Sequence, residues 1–111
     1  MVFKELIMVL TPDADPEKHR VLVKTERAEE ILVLVPQGDY DTAVKIAKDM
    51  VSSNGITSIM LCPGFSHEGV AKIANAVRGL AGVSVARDDP ESQAVMFPVL
   101  KKEGYIQEEK N

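Results

Sequence analysis

Apolar and polar residues fall along this chain in blocks that switch between the two-residue period of strands and the longer period of helices. Val2 to Leu10 is apolar except at Lys4 and Glu5 and is closed by Thr11-Pro12-Asp13, the pattern of a largely buried strand. Asp15-Pro16-Glu17 has the form of a helix start, with Asp15 as N-cap and Pro16 where a missing N–H costs nothing. The residues that follow fit a single helical turn, a short strand at Val21-Leu22-Val23 and a polar turn from Thr25 to Glu29. One helix over 16–28 is the alternative. Ile31 to Val35 is the most strand-like run, and its five consecutive apolar residues predict burial on both faces, with helices above and below.

Ala43, Ile46, Ala47, Met50 and Val51 recur on one helical face, so a helix is expected over 40–54, capped by Asp39 or Asp41 and closed at Asn54-Gly55. Ile56 to Leu61 predicts a further strand. Val70, Ile73, Ala74 and Val77 then predict a helix over 66–80, ended by Gly79 and Gly82. Val83 to Ala86 reads as a short strand. After Asp88-Asp89-Pro90 the periodicity blurs, with Ala94 to Phe97 apolar and Pro98 able to break one helix or begin another. Glu108 to Asn111 is expected to fray.

A shift that carries Leu34 onto Leu61 also carries Pro36 onto Pro63 and Lys45-Ile46-Ala47 onto Lys72-Ile73-Ala74. Two successive strand-helix units therefore share a pattern, which similar packing demands produce without duplication. Strand, helix, strand, helix, strand over 31–87 implies two right-handed crossovers and a parallel core, extended by the first strand and the 20–25 strand. The fold class expected is α/β: a small parallel or mixed sheet of four to five strands with helices packed on it.

With 111 residues, the chain is expected to form a single α/β domain over 1–111. Apolar residues make up 45% and charged residues 27%, which opposes both disorder and a membrane span. Net charge is −4 and there is no Trp, so neither a grip on phosphate backbones nor a base-stacking platform is expected, and nucleic acid is not a predicted partner. One Cys and two His cannot close a zinc site alone, and neither Gly-x-Gly-x-x-Gly nor Gly-x-x-x-x-Gly-Lys occurs, so no metal and no cofactor is expected. Lys4 and Glu5 interrupt the N-terminal apolar stretch, which makes the cytoplasm the expected location and suits a lone reduced thiol.

Ligands of open α/β sheets gather outside the carboxyl ends of the strands, which directs attention to Thr11-Pro12-Asp13, Pro36-Gln37-Gly38, Cys62 to His67 and Arg87-Asp88. In the third of these Gly64 admits close backbone approach, and Ser66 is placed to cap a helix whose first N–H groups attract anions. Cys62 is a candidate nucleophile and His67 a candidate acid or base. The plainer accounts are a packed small hydrophobe and a solvated imidazole. Asp13, His19 and Arg20 are candidates for binding a carboxylate or phosphate beside Gly64 and Ser66.

At Asp15-Pro16-Glu17-Lys18-His19-Arg20 and at Leu61-Cys62-Pro63-Gly64-Phe65-Ser66-His67-Glu68-Gly69-Val70-Ala71-Lys72-Ile73 the chain resembles a family of small bacterial and archaeal α/β proteins classed as a domain of unknown function. The resemblance runs over about 3–87. Members tend to carry Gly directly after the cysteine, where this chain has Pro63, which stiffens the loop and removes one N–H. The resemblance implies the fold and the site region and transfers no activity.

The leading expectation is a domain that binds a small anionic metabolite at the Cys62 to His67 loop. Two alternatives differ in class. One is a non-catalytic homo-oligomeric module whose segment after Asp88, with Val95, Met96 and Phe97, packs on a second copy. The other is a thiol enzyme using Cys62.

Overall fold

The computed structural model describes residues 1–106, so the expected fraying from Glu108 to Asn111 lies outside the described residues. In chain order run β1 (Phe3–Thr11), β2 (Arg20–Lys24), β3 (Ala28–Pro36), α1 (Tyr40–Asn54), β4 (Ser58–Leu61), α2 (His67–Ala76), β5 (Gly82–Val85) and α3 (Pro90–Lys102). They build one five-stranded mixed sheet in the order β2-β3-β1-β4-β5, with helices packed on it. β1 pairs in parallel with β3 and β4, and β4 with β5, whereas β2 is antiparallel to β3. The α/β expectation therefore holds, and β1 is the centre of the sheet rather than an extension of it.

Local chemistry explains the boundaries of α1. The Asp39 carboxylate accepts from the Thr42 N–H at 3.1 Å and from the Thr42 hydroxyl at 2.7 Å, satisfying an orphan donor of the first turn. These bonds favour the ionised carboxylate and hold Asp39 below the usual aspartate range. At the other end Gly55 takes φ 74°, and its N–H reaches the Met50 carbonyl. Asp15, by contrast, starts no helix. Its carboxylate accepts from the Glu17 N–H, and its carbonyl accepts from Lys18 and His19, which makes a turn. The chain must be extended again at once, because Val21, Leu22 and Val23 pair with Leu32, Ile31 and Glu30. α2 is also shorter than its periodicity suggests, ending at Ala76, after which a turn carries the chain through Gly79 at φ 79°.

The core lies on one face of the sheet. Leu6, Met8 and Leu10 of β1 stand beside Ile31, Val33 and Val35 of β3 and, through Leu6 and Met8, beside Ile59 and Leu61 of β4. All are buried together with Ala43 and Ala47 of α1 and Ile73 of α2. The alanines let α1 approach the strands closely.

Helices do not cover both faces of β3. The crossovers from β3 to β4 and from β4 to β5 travel in the same direction across the sheet, and right-handed connections that do so fall on one side. The opposite face carries Val21, Leu32, Ile7 and Met60 in one row across four strands, with Leu34 and Val9 on one side of it and Glu30, Glu5 and Ser58 on the other. Ile7, Val9, Leu32 and Leu34 are only half-buried. α3 comes after the sheet is complete and has no buried residue. Pro98 lies inside it, so Pro98 neither breaks nor begins the helix.

Candidate functional site

The loop after β4 continues the sheet for one more residue and then turns sharply. The Cys62 N–H donates to the Met8 carbonyl at 3.1 Å, and the Phe65 N–H returns to the Cys62 carbonyl at 3.2 Å, closing a four-residue turn with Pro63 in its second place. The Cys62 thiol is half-buried, and its Sγ accepts from the Leu10 N–H at 3.4 Å. The sulfur thus stands in for a strand carbonyl where the β1–β4 pairing runs out.

Beyond the turn, Phe65 is buried and packs on Tyr40 with ring centroids 5.7 Å apart. The Tyr40 hydroxyl accepts from the Ser66 N–H at 3.1 Å, and the Ser66 Oγ accepts from the Gly69 N–H at 3.1 Å as the N-cap of α2. Gly69 has a steric reason to be glycine: a Cβ there would stand 2.6 Å from the Tyr40 ring. Gly64 has none, since a Cβ would meet only Cys62 Sγ at 3.5 Å and Leu10 at 3.8 Å, both ordinary contacts.

A cavity of about 280 Å³ opens at these strand ends, floored by Val9, Leu10, Cys62, Pro63 and Gly64. α3 and the residues after it form the roof, with Met96, Phe97, Leu100, Tyr105 and Ile106 lining it. Gln37 and Asp88 supply polar groups. Asp88 is itself tied to α3, its carboxylate accepting from the Gln93 side chain at 3.1 Å.

Of the residues expected at the site, Cys62 and Gly64 line this cavity. Ser66 and His67 stand next to it in the chain, at the start of α2. Ser66 is occupied as a cap, and His67 is exposed, with no hydrogen bond among the described residues joining it to Cys62. Asp13 is exposed in the turn after β1. His19 is exposed too, its Nδ1 accepting from the Asp15 N–H at 2.9 Å. Arg20 donates through Nε to the Pro16 carbonyl at 2.6 Å and lines a different groove, of about 360 Å³, together with Thr42, Lys45 and Asp49 of α1. The expected cluster therefore divides: the loop residues stand at the cavity, Arg20 lines the groove at α1, and Asp13 and His19 line neither. Gln37 and Asp88 were reachable from the strand-end rule, whereas the apolar roof carries no motif and was missed.

Among the described residues no group of three or more His, Cys, Asp and Glu is placed to hold a metal ion. No helix among them is long and apolar enough to cross a membrane.

The chain matches the model of a family described as a family of unknown function (DUF6506) over residues 3–100, and it belongs to that family. No curated protein and no solved structure matches it.

Proposed function

We propose that this member of the DUF6506 family binds a small, largely apolar molecule carrying a hydrogen-bond donor, in the cavity between the β1 and β4 strand ends and α3. The observation that carries the reading is the composition of the lining. Aliphatic and aromatic side chains make most of it, with Gln37, Asp88 and Tyr105 bearing its polar groups and no Lys or Arg among the described residues of the lining. Pockets of that make-up, at strand ends of an α/β sheet, are the usual small-molecule sites. A carboxylate with no cation beside it among the described residues of the lining disfavours anions, so the ligand polarity favoured here differs from the anionic metabolite expected from the helix terminus alone. Arg20 and Lys45, the cations an anion would need, face the other groove. Binding rather than thiol chemistry is the favoured use of Cys62, because its sulfur already accepts from Leu10 and no base is bonded to it among the described residues.

A thermal-melt panel tests the reading, with benzylamine, hexylamine, indole and hexanol set against phosphate, sulfate and short carboxylates. The amines and neutral apolar compounds should raise the melting temperature with concentration, by several degrees for a ligand at 100 times its dissociation constant, equivalent to ~2.7 kcal/mol. Gly64→Val, which adds bulk to the cavity floor, should remove the response and leave the fold intact. A panel in which only anions act, or a Gly64→Val variant that responds like the wild type, would overturn the proposal.

A further inference from the structure

The uncovered sheet face and the outer side of α3 match each other. α3 is apolar on two opposite sides. Gln93, Phe97 and Leu100 form the half-buried stripe that meets its own chain, while Val95 and Val99 face the other way, 75% and 59% exposed, with Lys102 one turn further on. Along a helix axis, Val95 to Val99 is about 6 Å and Val99 to Lys102 about 4.5 Å. On the open face, the rows Val9–Leu34, Ile7–Leu32 and Glu5–Glu30 follow one another at about 6.6 Å. Two apolar rows and an acidic one thus match, in the same order, two valines at nearly the row spacing and a lysine whose long side chain spans the remaining ~2 Å.

No cation among the described residues pairs with the acidic row. Ser58 donates to Glu5 at 2.7 Å, but Glu30 Oε2 is buried with no hydrogen-bond partner among the described residues. Val23 flanks Glu30 from β2, and Lys4 and Lys24 project from the opposite side of the sheet, where both pair with Glu29.

We propose that a second copy of this chain covers the open face, in a twofold pair in which each copy's Val95 and Val99 lie on its partner's Ile7, Leu32 and Leu34, and each Lys102 meets the partner's Glu5–Glu30 pair, Val9 being turned to the cavity under its own α3. The arrangement is self-complementary, as a twofold interface requires. Its size is adequate. Five strands at ~4.8 Å spacing, the two longest of nine residues each, give a face of roughly 500 to 700 Å² in projection, near the ~800 Å² per partner of a standard interface. Glu91, at the other end of the α3 stripe, then falls beyond the Val9–Leu34 row, at the strand ends and away from the acidic row.

Sedimentation equilibrium from 1 to 100 µM decides the matter, with folding checked by circular dichroism. The wild type should be a dimer. Val99→Glu, at an exposed helix position that cannot unfold the core, should weaken dimerisation at least tenfold, and Lys102→Glu should do so in a salt-dependent way. Leu80→Glu is the control: Leu80 is 66% exposed but lies beside α1 and α2, and this substitution should leave the dimer unchanged. A wild type monomeric at 100 µM, which would leave the face to another occupant or to solvent, would overturn the proposal. So would a dimer indifferent to Val99→Glu and Lys102→Glu, or one that Leu80→Glu dissociates.

Discussion

Gly69→Ala should destabilise the protein even though alanine is much the better helix former. On propensity alone the exchange would stabilise α2 by up to ~1 kcal/mol. The added Cβ, however, would stand 2.6 to 2.8 Å from three atoms of the Tyr40 ring. Carbon atoms rest at about 3.5 to 4.0 Å, so the ring would have to retreat by roughly 1 Å. It is not free to do so, because its hydroxyl accepts from Ser66 at 3.1 Å and its face packs on buried Phe65. Losing the hydrogen bond costs ~1 kcal/mol and weakening the aromatic pair ~0.5 to 1.5 kcal/mol, with further strain from overpacking. Less the propensity gain, the net loss is about 1 to 2 kcal/mol, or roughly 5 to 15 °C in Tm for a domain of this size. Thermal and urea melts of the four proteins in a Tyr40→Ala, Gly69→Ala cycle make the argument refutable. In the Tyr40→Ala background the ring is gone, and Gly69→Ala should become neutral or stabilising. If Gly69→Ala raises Tm in the wild type, or shifts both backgrounds equally, Tyr40 is not what excludes a side chain at 69.

Burial, then a hydrogen bond that the protonated acid makes to Glu5 and the charge of Glu5, raises the pKa of Glu30 above its usual value; Val23 is its neighbour on β2, and Ser58 is bonded to Glu5. A raised folded-state pKa gives stability that is complete below the unfolded value near 4.5 and is lost as pH rises through the folded value. Glu30→Gln should therefore stabilise dilute protein by about 1 kcal/mol at pH 8 and by much less at pH 4, as urea unfolding at the two pH values would read. An equal effect at both would refute the assignment. Asp39 has the opposite sign: its lowered pKa gives stability present above the unfolded value of 3.8 and lost as pH falls through the folded value. Asp39→Ala should cost ~1 kcal/mol at pH 7 and progressively less in acid, while Asp39→Asn keeps most of the cap; two variants with the same melting profile would count against it.

The sequence alone determined what short-range patterning can encode. The apolar runs from Val2 to Leu10 and from Ile31 to Val35 marked β1 and β3, Gly55 marked the end of α1 and left its cap between Asp39 and Asp41, of which the structure uses Asp39, and Ser66 was legible as the cap of α2. Strand-end reasoning likewise led to Cys62 and Gly64, because a cysteine and a glycine between a buried strand and a capped helix are local facts. Strand order was not local. Nothing near Phe3 to Thr11 states that β1 will lie between β3 and β4, and it is that order which puts α1 and α2 on one face and leaves the row from Val21 to Met60 without a helix. The same limit applies to His19 and Arg20, which the turn at Asp15 and the antiparallel pairing of β2 carry away from the cavity. It applies to Phe97 and Leu100 as well, whose apolar character was plain but whose partners across the strand ends were not. Periodicity records which residues seek burial; only the folded sheet decides what buries them, because that choice is made between segments far apart in the chain.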